Sequence, residues 1–251
     1  MKNANHLFVP ILLLGAVIAL AAADKHAAWS YRGSTGPGNW GDLDPAYALC
    51  KTGKAQSPID IRETVGAEGS PLEFHYGASK ISLINNGHTI QQQLDPGSSV
   101  IYEGKRYNAL QFHFHHGSEH TVGGKRYAME MHIVHASDEG KLLVVGILFE
   151  KGESNAFLAP FWDKMPAEAQ GEFGDENITL NLAAALPEAS GLFAYSGSLT
   201  TPPGTEGVNW FLFSEPRSID QAQKAAFGKL HPGSFRPTQP LHGREVTLWR
   251  R

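Results

Sequence analysis

Between Gln111 and His135 the chain reads QFHFHHGSEHTVGGKRYAMEMHIVH, and six of its twelve histidines fall inside that stretch: His113, His115, His116, His120, His132 and His135. Any fold built on it must either give these imidazoles a shared task or sort them onto different faces. Gln111 to His115 alternates polar and aromatic residues, the pattern of a strand with one buried apolar face. Side chains two apart project to the same side, so Gln111, His113 and His115 form one row, while Phe112 and Phe114 point the other way, into a core. Downstream, Glu130, His132 and Val134 share one face and Met129, Met131 and Ile133 the opposite one. Gly123-Gly124 supplies a turn back between the two runs. As antiparallel neighbours, they bring His132 beside the His113/His115 pair, with Glu130 and Gln111 one step behind.

Three neutral imidazoles with an open fourth position describe a catalytic zinc site. A metal-bound imidazole is normally oriented by an acceptor on its other ring nitrogen, and Gln111 and Glu130 are placed to serve. A single strand histidine is more simply read as a hydrogen-bonded core residue; three in register with two partners behind them point to a metal. Parity sorts the others: His135 faces away from His132, His116 breaks the row of His113 and His115, and His120 lies in the connection with a structural role.

The rest of the chain reads as one domain. It has 251 residues, 41% of them hydrophobic and 10% aromatic, enough for a sizeable core. The net charge of -4 points to no polyanion or nucleic-acid partner. Residues 1–23 have Lys2, an apolar run from Ile11 to Leu20 and small residues at Ala21 to Ala23, which predicts a secretory signal peptide, removed to leave a domain over residues 24–251. The apolar run is short for a membrane span, so export to a periplasm or the medium is expected, with no membrane attachment afterwards. Trp29, Tyr31 and Trp40, set among glycines, predict a loop-like arm pinned by flat rings. Ile81 to Ile84 reads as a strand; Asn85-Asn86-Gly87 reads as a turn, with His88 opening a strand through Leu94. Leu142 to Glu150 is apolar on both sides and therefore central. Ser154 to Asp163 predicts a short helix, and Ser218 with Gln221 a capping box ahead of Ala222 to Leu230.

Several separated motifs resemble those of the alpha-class carbonic anhydrases, especially the exported bacterial branch: QFHFH, SEH at 118–120 followed by Thr121-Val122, EMHIVH, Gln56-Ser57-Pro58 and Tyr195-Ser-Gly-Ser-Leu-Thr-Thr-Pro-Pro203. His116 departs from the pattern, where relatives often carry Trp or a small residue. The resemblance runs from about Trp29 to the C-terminus. It implies a mainly β (α+β) fold: one twisted, mostly antiparallel sheet of about ten strands with short surface helices. It also implies zinc on His113, His115 and His132, and reversible hydration of carbon dioxide to bicarbonate and a proton by zinc-bound hydroxide. By the same match His88 is a proton shuttle, and its imidazole titrates near neutral pH; from its local sequence alone it is an exposed turn residue. Thr200 would donate to Glu119 and orient the hydroxide. Val134, Val144, Leu199, Val208 and Trp210 would form the substrate wall, with Thr201 and Gln91 at its polar side. A backbone carbonyl within Pro240–Arg244 would accept from one zinc histidine.

Two other readings are weaker. His113-x-His115-x3-Glu119 resembles the first metal motif of cupin dioxygenases, but Tyr107 and Arg126 stand where that motif carries glycines. A secreted metal-binding module without catalysis would not need Thr200, Glu119 and an apolar pocket. Exported relatives pair a cysteine near Cys50 with one just after the Thr-Thr-Pro-Pro turn; here that second position is Gly204. The lone Cys50 leaves two states open, a buried thiol or a bridge to a second chain in a homodimer, and the apolar run before it favours the thiol.

Overall fold

The computed structural model describes residues 26–188 and 190–250; the expected signal peptide lies outside them. The alternating runs of the sequence become a path of ten strands: β1 (Val65–Glu68), β2 (Ala78–Asn85), β3 (Ile90–Gln93), β4 (Lys105–His116), β5 (Met129–Ala136), β6 (Leu142–Lys151), β7 (Glu172–Asn181), β8 (Leu192–Ser198), β9 (Glu206–Phe213) and β10 (Thr247–Arg250). They lie side by side in the order β7-β2-β3-β4-β5-β6-β9-β8-β10-β1, and three short strands off the path bring the sheet to thirteen. The expected architecture stands, with more parallel pairing than expected. β6 runs parallel to β9 and to Arg217–Ile219, and β10 runs parallel to β1. Asp60–Ile61, Thr121–Val122 and Lys125–Arg126 form a separate three-stranded sheet.

The centre of the sheet explains its own sequence. Leu143, Val145, Ile147 and Phe149 of β6 face one apolar cluster with Phe112, Phe114, Met129, Met131 and Ile133. Val144 and Leu148 face a second cluster with Tyr195, Trp210 and Leu212. A strand with a core on each side has no polar face, which is why this run lacks alternation. Phe112 and Phe114 are at most 1% exposed; burying each contributes about 1.5–3 kcal/mol relative to leaving it in water.

Local expectations fared unevenly. Ser154 to Asp163 forms turns and only a 3-10 turn at Trp162–Lys164. Pro160 removes a backbone donor there, and the Asn155 side chain accepts from the Phe157 amide instead of leaving it to a helix. The helix Gln221–Leu230 forms, but its N-cap is Asp220, which accepts from the Gln223 amide at 2.7 Å. Ser218 is unavailable as a cap because it pairs with Glu150 in the sheet. The strand after the Asn85–Gly87 turn starts at Ile90 rather than His88, since Asn86 Oδ1 accepts from the amides of both His88 and Thr89. The arm holds a 3-10 turn at Gly33–Thr35 and a one-turn helix from Trp40. Its rings pack as expected: Trp29 meets Tyr31 and Trp40 edge-on at 5.5 and 5.1 Å. No described helix is long and apolar enough to cross a membrane.

Cys50 lies in the short helix Leu49–Thr52 and is 8% exposed. Gly204, in the loop after Thr200, lies beside it: an added Cβ there would stand 2.8 Å from Sγ, and its φ of +71° suits glycine. Other bonds tie the two segments. Gln56 Nε2 donates to the Gly204 carbonyl at 2.8 Å, and the buried Arg236 donates to the Cys50 and Ser57 carbonyls. Burial pushes the Cys50 thiol pKa up, so it stays protonated and unreactive. We therefore expect the native protein to migrate identically with and without reductant on a denaturing gel, and a thiol reagent to label it only after unfolding. A reductant-sensitive band at twice the chain mass would instead establish a Cys50-linked dimer.

Candidate active site

The register between β4 and β5 sets the site. His132 pairs with His113 and Glu130 with His115 across the two strands, so the parity read from the sequence brings all three imidazoles to one face. Their rings lie 4.5–5.3 Å apart between centroids. Each has one nitrogen anchored. His113 Nδ1 donates to Gln111 Oε1 at 2.9 Å, and His132 Nε2 donates to Glu130 Oε1 at 2.7 Å. His115 Nδ1 donates to the Ser234 carbonyl at 2.7 Å. That acceptor lies before the Pro240–Arg244 segment expected to supply it, because the chain reaches the site through Ser234–Arg236 and not through the later turn.

Those three donations leave a lone pair on the second nitrogen of each ring, and one nitrogen of each lies within 4.8 Å of the others. His115 Nε2 and His132 Nδ1 face each other at 3.1 Å. With both protons committed elsewhere, neither nitrogen can donate across that gap. Burial holds the pKa of His113 well below its usual value, reinforced by His115 and His132; burial likewise lowers that of His115, against the pull of Glu119. Neutral rings with converging lone pairs are the donor set a divalent cation requires.

Glu130 does more than orient one ring. It accepts from the amides of Glu119 and His120 at 2.8 and 2.9 Å, from His120 Nδ1 at 2.7 Å, and from His132. Burial alone would raise its pKa, yet the His120 and His132 imidazoles and their hydrogen bonds hold the carboxyl well below the usual range. His120 Nε2 in turn meets the Tyr195 hydroxyl at 2.7 Å, which meets Ser57 Oγ at 2.8 Å. His120 thus bridges Glu130 and Tyr195, a partnership that was not legible in the sequence. His135 is also where parity puts it, on the opposite face, bonded to Tyr76 at 2.8 Å.

Above the imidazoles opens a cavity of about 200 Å³, lined on its apolar side by Val134, Val144, Leu199 and Trp210. Thr200, Thr201, Gln91 and His88 line it too. Val208 does not; it is buried in the cluster behind Val144 and Trp210. His88 is half-buried rather than exposed, stacked on Trp29 with centroids 3.7 Å apart, and burial lowers its pKa. Tyr31 is a wall residue the sequence reading treated only as an anchor, with its ring 6.5 Å from that of His115. Glu119 Oε1 accepts from the Arg236 amide at 2.7 Å, while the buried Oε2 has no hydrogen-bond partner among the described residues and lies 3.5 Å from His115 Nε2. The hydrogen bond from Thr200 to Glu119 that the resemblance implies is therefore not made, although the acceptor it needs is left open.

A family profile described as eukaryotic-type carbonic anhydrase matches residues 35–249. The carbonic anhydrase of Pectobacterium carotovorum is 37% identical, covering 94% of this chain and 97% of its own. That of Klebsiella pneumoniae is 42% identical over 87% of this chain and 89% of its own. Among solved structures, the alpha-carbonic anhydrase of Thermovibrio ammonificans in complex with sulfanilamide superposes with a TM-score of 0.85, at 42% identity, covering 88% of this chain and 99% of that one. With a mostly β sheet carrying the three converging imidazoles, and relatives that match nearly end to end, the chain belongs to the alpha-class carbonic anhydrase family and is an enzyme of carbon dioxide hydration.

Proposed function

We propose that His113, His115 and His132 hold a zinc ion, and that this centre carries out the reversible hydration of carbon dioxide with His88 as proton shuttle. The observation that carries the reading is the pair of nitrogens, His115 Nε2 and His132 Nδ1, facing each other at 3.1 Å while the other nitrogen of each ring donates to a carbonyl or carboxylate oxygen. Two lone pairs so placed repel, and a cation between them and His113 turns the repulsion into ligation. Three imidazoles without a carboxylate ligand suit zinc. When bound, zinc supplies Lewis acidity and lowers the pKa of a water to about 7, an effect for which carbonic anhydrase is itself the standard example.

The chain's own residues do the rest. Gln111, Glu130 and the Ser234 carbonyl keep each ring in the tautomer that offers a lone pair. Val134, Val144, Leu199 and Trp210 form an apolar wall on which uncharged carbon dioxide is held beside the imidazoles, and Val208 supports that wall from behind. Thr200 turns its proton to the open Glu119 Oε2; its oxygen then accepts only from groups that carry a proton, which selects and orients the nucleophile. Thr201 and Gln91 make the polar side. His88 takes up the released proton and passes it to solvent from the rim. Its lowered pKa favours giving the proton up again. The reading also places residues 1–23 as a cleaved leader and the mature enzyme in the periplasm or outside the cell. A binding module without catalysis would leave Glu119 Oε2 and the apolar wall without a purpose.

Four substitutions test these roles. His132→Ala is expected to remove most zinc, measured by metal analysis of the purified protein, along with activity in stopped-flow carbon dioxide hydration. His135→Ala keeps both; demetallation by His135→Ala alone would overturn the ligand set.

His88→Ala should slow turnover in weak buffer by roughly tenfold or more, within the range general acid-base groups supply, and added imidazole should restore it. An unchanged rate in weak buffer would show that another route carries the proton.

Thr200→Ala should retain zinc but lose activity by about 10²-fold, the scale of one preorganised donor or acceptor. Full activity in that variant would remove the Thr200–Glu119 pair from the mechanism.

A further inference from the structure

A cavity larger than the catalytic one lies elsewhere on the molecule. A cleft of about 730 Å³ lies where the turn at His116-Gly117, the Lys125–Ala128 segment, the end of β6 and the helix Gln221–Leu230 meet, and it shares no lining residue with the catalytic cavity. Five cationic side chains line it, Arg32, Lys125, Arg126, Lys151 and Lys224, against one carboxylate, Glu150. Lys125 pairs with Glu150 at 3.1 Å, which neutralises the acid. Lys151 and Lys224 have no side-chain partner among the described residues. Arg32, Arg126, Lys151 and Lys224 therefore stand around one concavity, Arg126 also drawn toward the buried Glu119 and Glu130, in a chain whose net charge is -4.

Two of the four are held in place. Arg126 donates to the Ser118 carbonyl and lies over the Phe235 ring, 4.1 Å from its centroid. Arg32 donates to the Pro232 carbonyl at 2.7 Å. Each guanidinium has five N–H donors, so several remain free to bind a ligand. His116, which departs from the family pattern, sits in the same cleft, half-buried. Its Nδ1 accepts from the Gly233 amide at 3.2 Å. Burial and the nearby Lys224 and Arg32 lower its pKa, so the ring stays neutral at pH 7 and adds no further repulsion.

We propose that this cleft is a second ligand site, taking a multivalent phosphate, either free or carried on a lipid headgroup. Fixed guanidinium forks match the oxygens of phosphate in a way that ammonium groups do not, and the two unpaired lysines can close over them. A concave cluster of like charges focuses its field outward and draws in counter-ions of high charge. Monovalent bicarbonate would leave most of that charge unmatched, so two or more phosphates in one ligand fit better. The whole-chain charge hides the site, because the excess of acid lies elsewhere.

The test uses the purified enzyme at low ionic strength. Pyrophosphate, followed by calorimetry, should bind saturably and more tightly than orthophosphate, and should weaken as salt is added. Lys151→Glu with Lys224→Glu should reduce that affinity by about tenfold or more. Lys80→Glu with Lys105→Glu makes the same charge change at surface lysines paired with Glu176 and Glu139, and should leave binding intact. In a parallel arm the protein is sedimented with phosphatidylcholine vesicles with and without a phosphatidylinositol bisphosphate. Pelleting only with the phosphoinositide, lost in the Lys151/Lys224 variant, would assign the phosphate to a lipid. Carbon dioxide hydration by every variant reports folding and separates this outcome from that of the catalytic reading. Absence of saturable binding in both arms, or equal loss in the two double variants, would overturn the proposal.

Discussion

The carboxylate of Glu130 is fully buried and accepts four hydrogen bonds, two from backbone amides of the Glu119-His120 turn and two from imidazoles. A buried charge of this kind is tolerable only when it is saturated with donors. Saturation here requires two separate pieces of chain to arrive together: β5, which carries Glu130 and His132, and the turn after β4, which supplies both amides and the His120 imidazole. Once they meet, His132 has a fixed tautomer, and the β4–β5 register is locked to the side chains it displays. His120 carries the constraint onward through Tyr195 to Ser57, joining the centre of the sheet to the segment that runs beside the Thr200 loop.

The sheet does two different jobs on its two faces. One face presents Phe112, Phe114, Met131 and Ile133 to a dry core that fixes β4 and β5 in place. The other presents imidazoles, hydroxyls and a few aliphatic side chains to a cavity. Gly146, opposite His132 across β5 and β6, shows how tight the junction is, since a Cβ there would come within 2.5 Å of Leu212 Cδ1. Packing this close keeps the imidazoles from drifting, the condition for a site that is ready before its ligand arrives. Toward the cavity mouth, His88 stacks on Trp29 and the Thr200–Thr201 loop is tied to Gln56 through the Gly204 carbonyl.

Much of the site was legible because a strand has a period of two. From Gln111 to His115 and from Glu130 to Val134, the alternation alone separates the cavity-facing imidazoles from core residues and sets His135 and His116 apart from them. Where alternation does not apply, the reading was weaker. The cap of the last helix moved from Ser218 to Asp220 because Ser218 is claimed by the sheet, and the helix expected near Ala159 gave way to turns at Asn155 and Pro160. Local propensity cannot see a long-range partner that competes for the same backbone groups.

The sequence by itself determined which faces of β4 and β5 are polar, which three histidines share one of them, and that Gln111 and Glu130 stand behind two. It also determined that Cys50 has no cysteine to meet, since Gly204 occupies the matching place. Only the tertiary structure decided that His115 is anchored by the Ser234 carbonyl, that Glu119 Oε2 is left open, that Val208 supports the cavity wall from behind, and that Arg32, Arg126, Lys151 and Lys224 surround one cleft. The physical reason is the same in each case. These relations join residues far apart in the chain, and no short-range periodicity records a contact that forms only when distant segments pack.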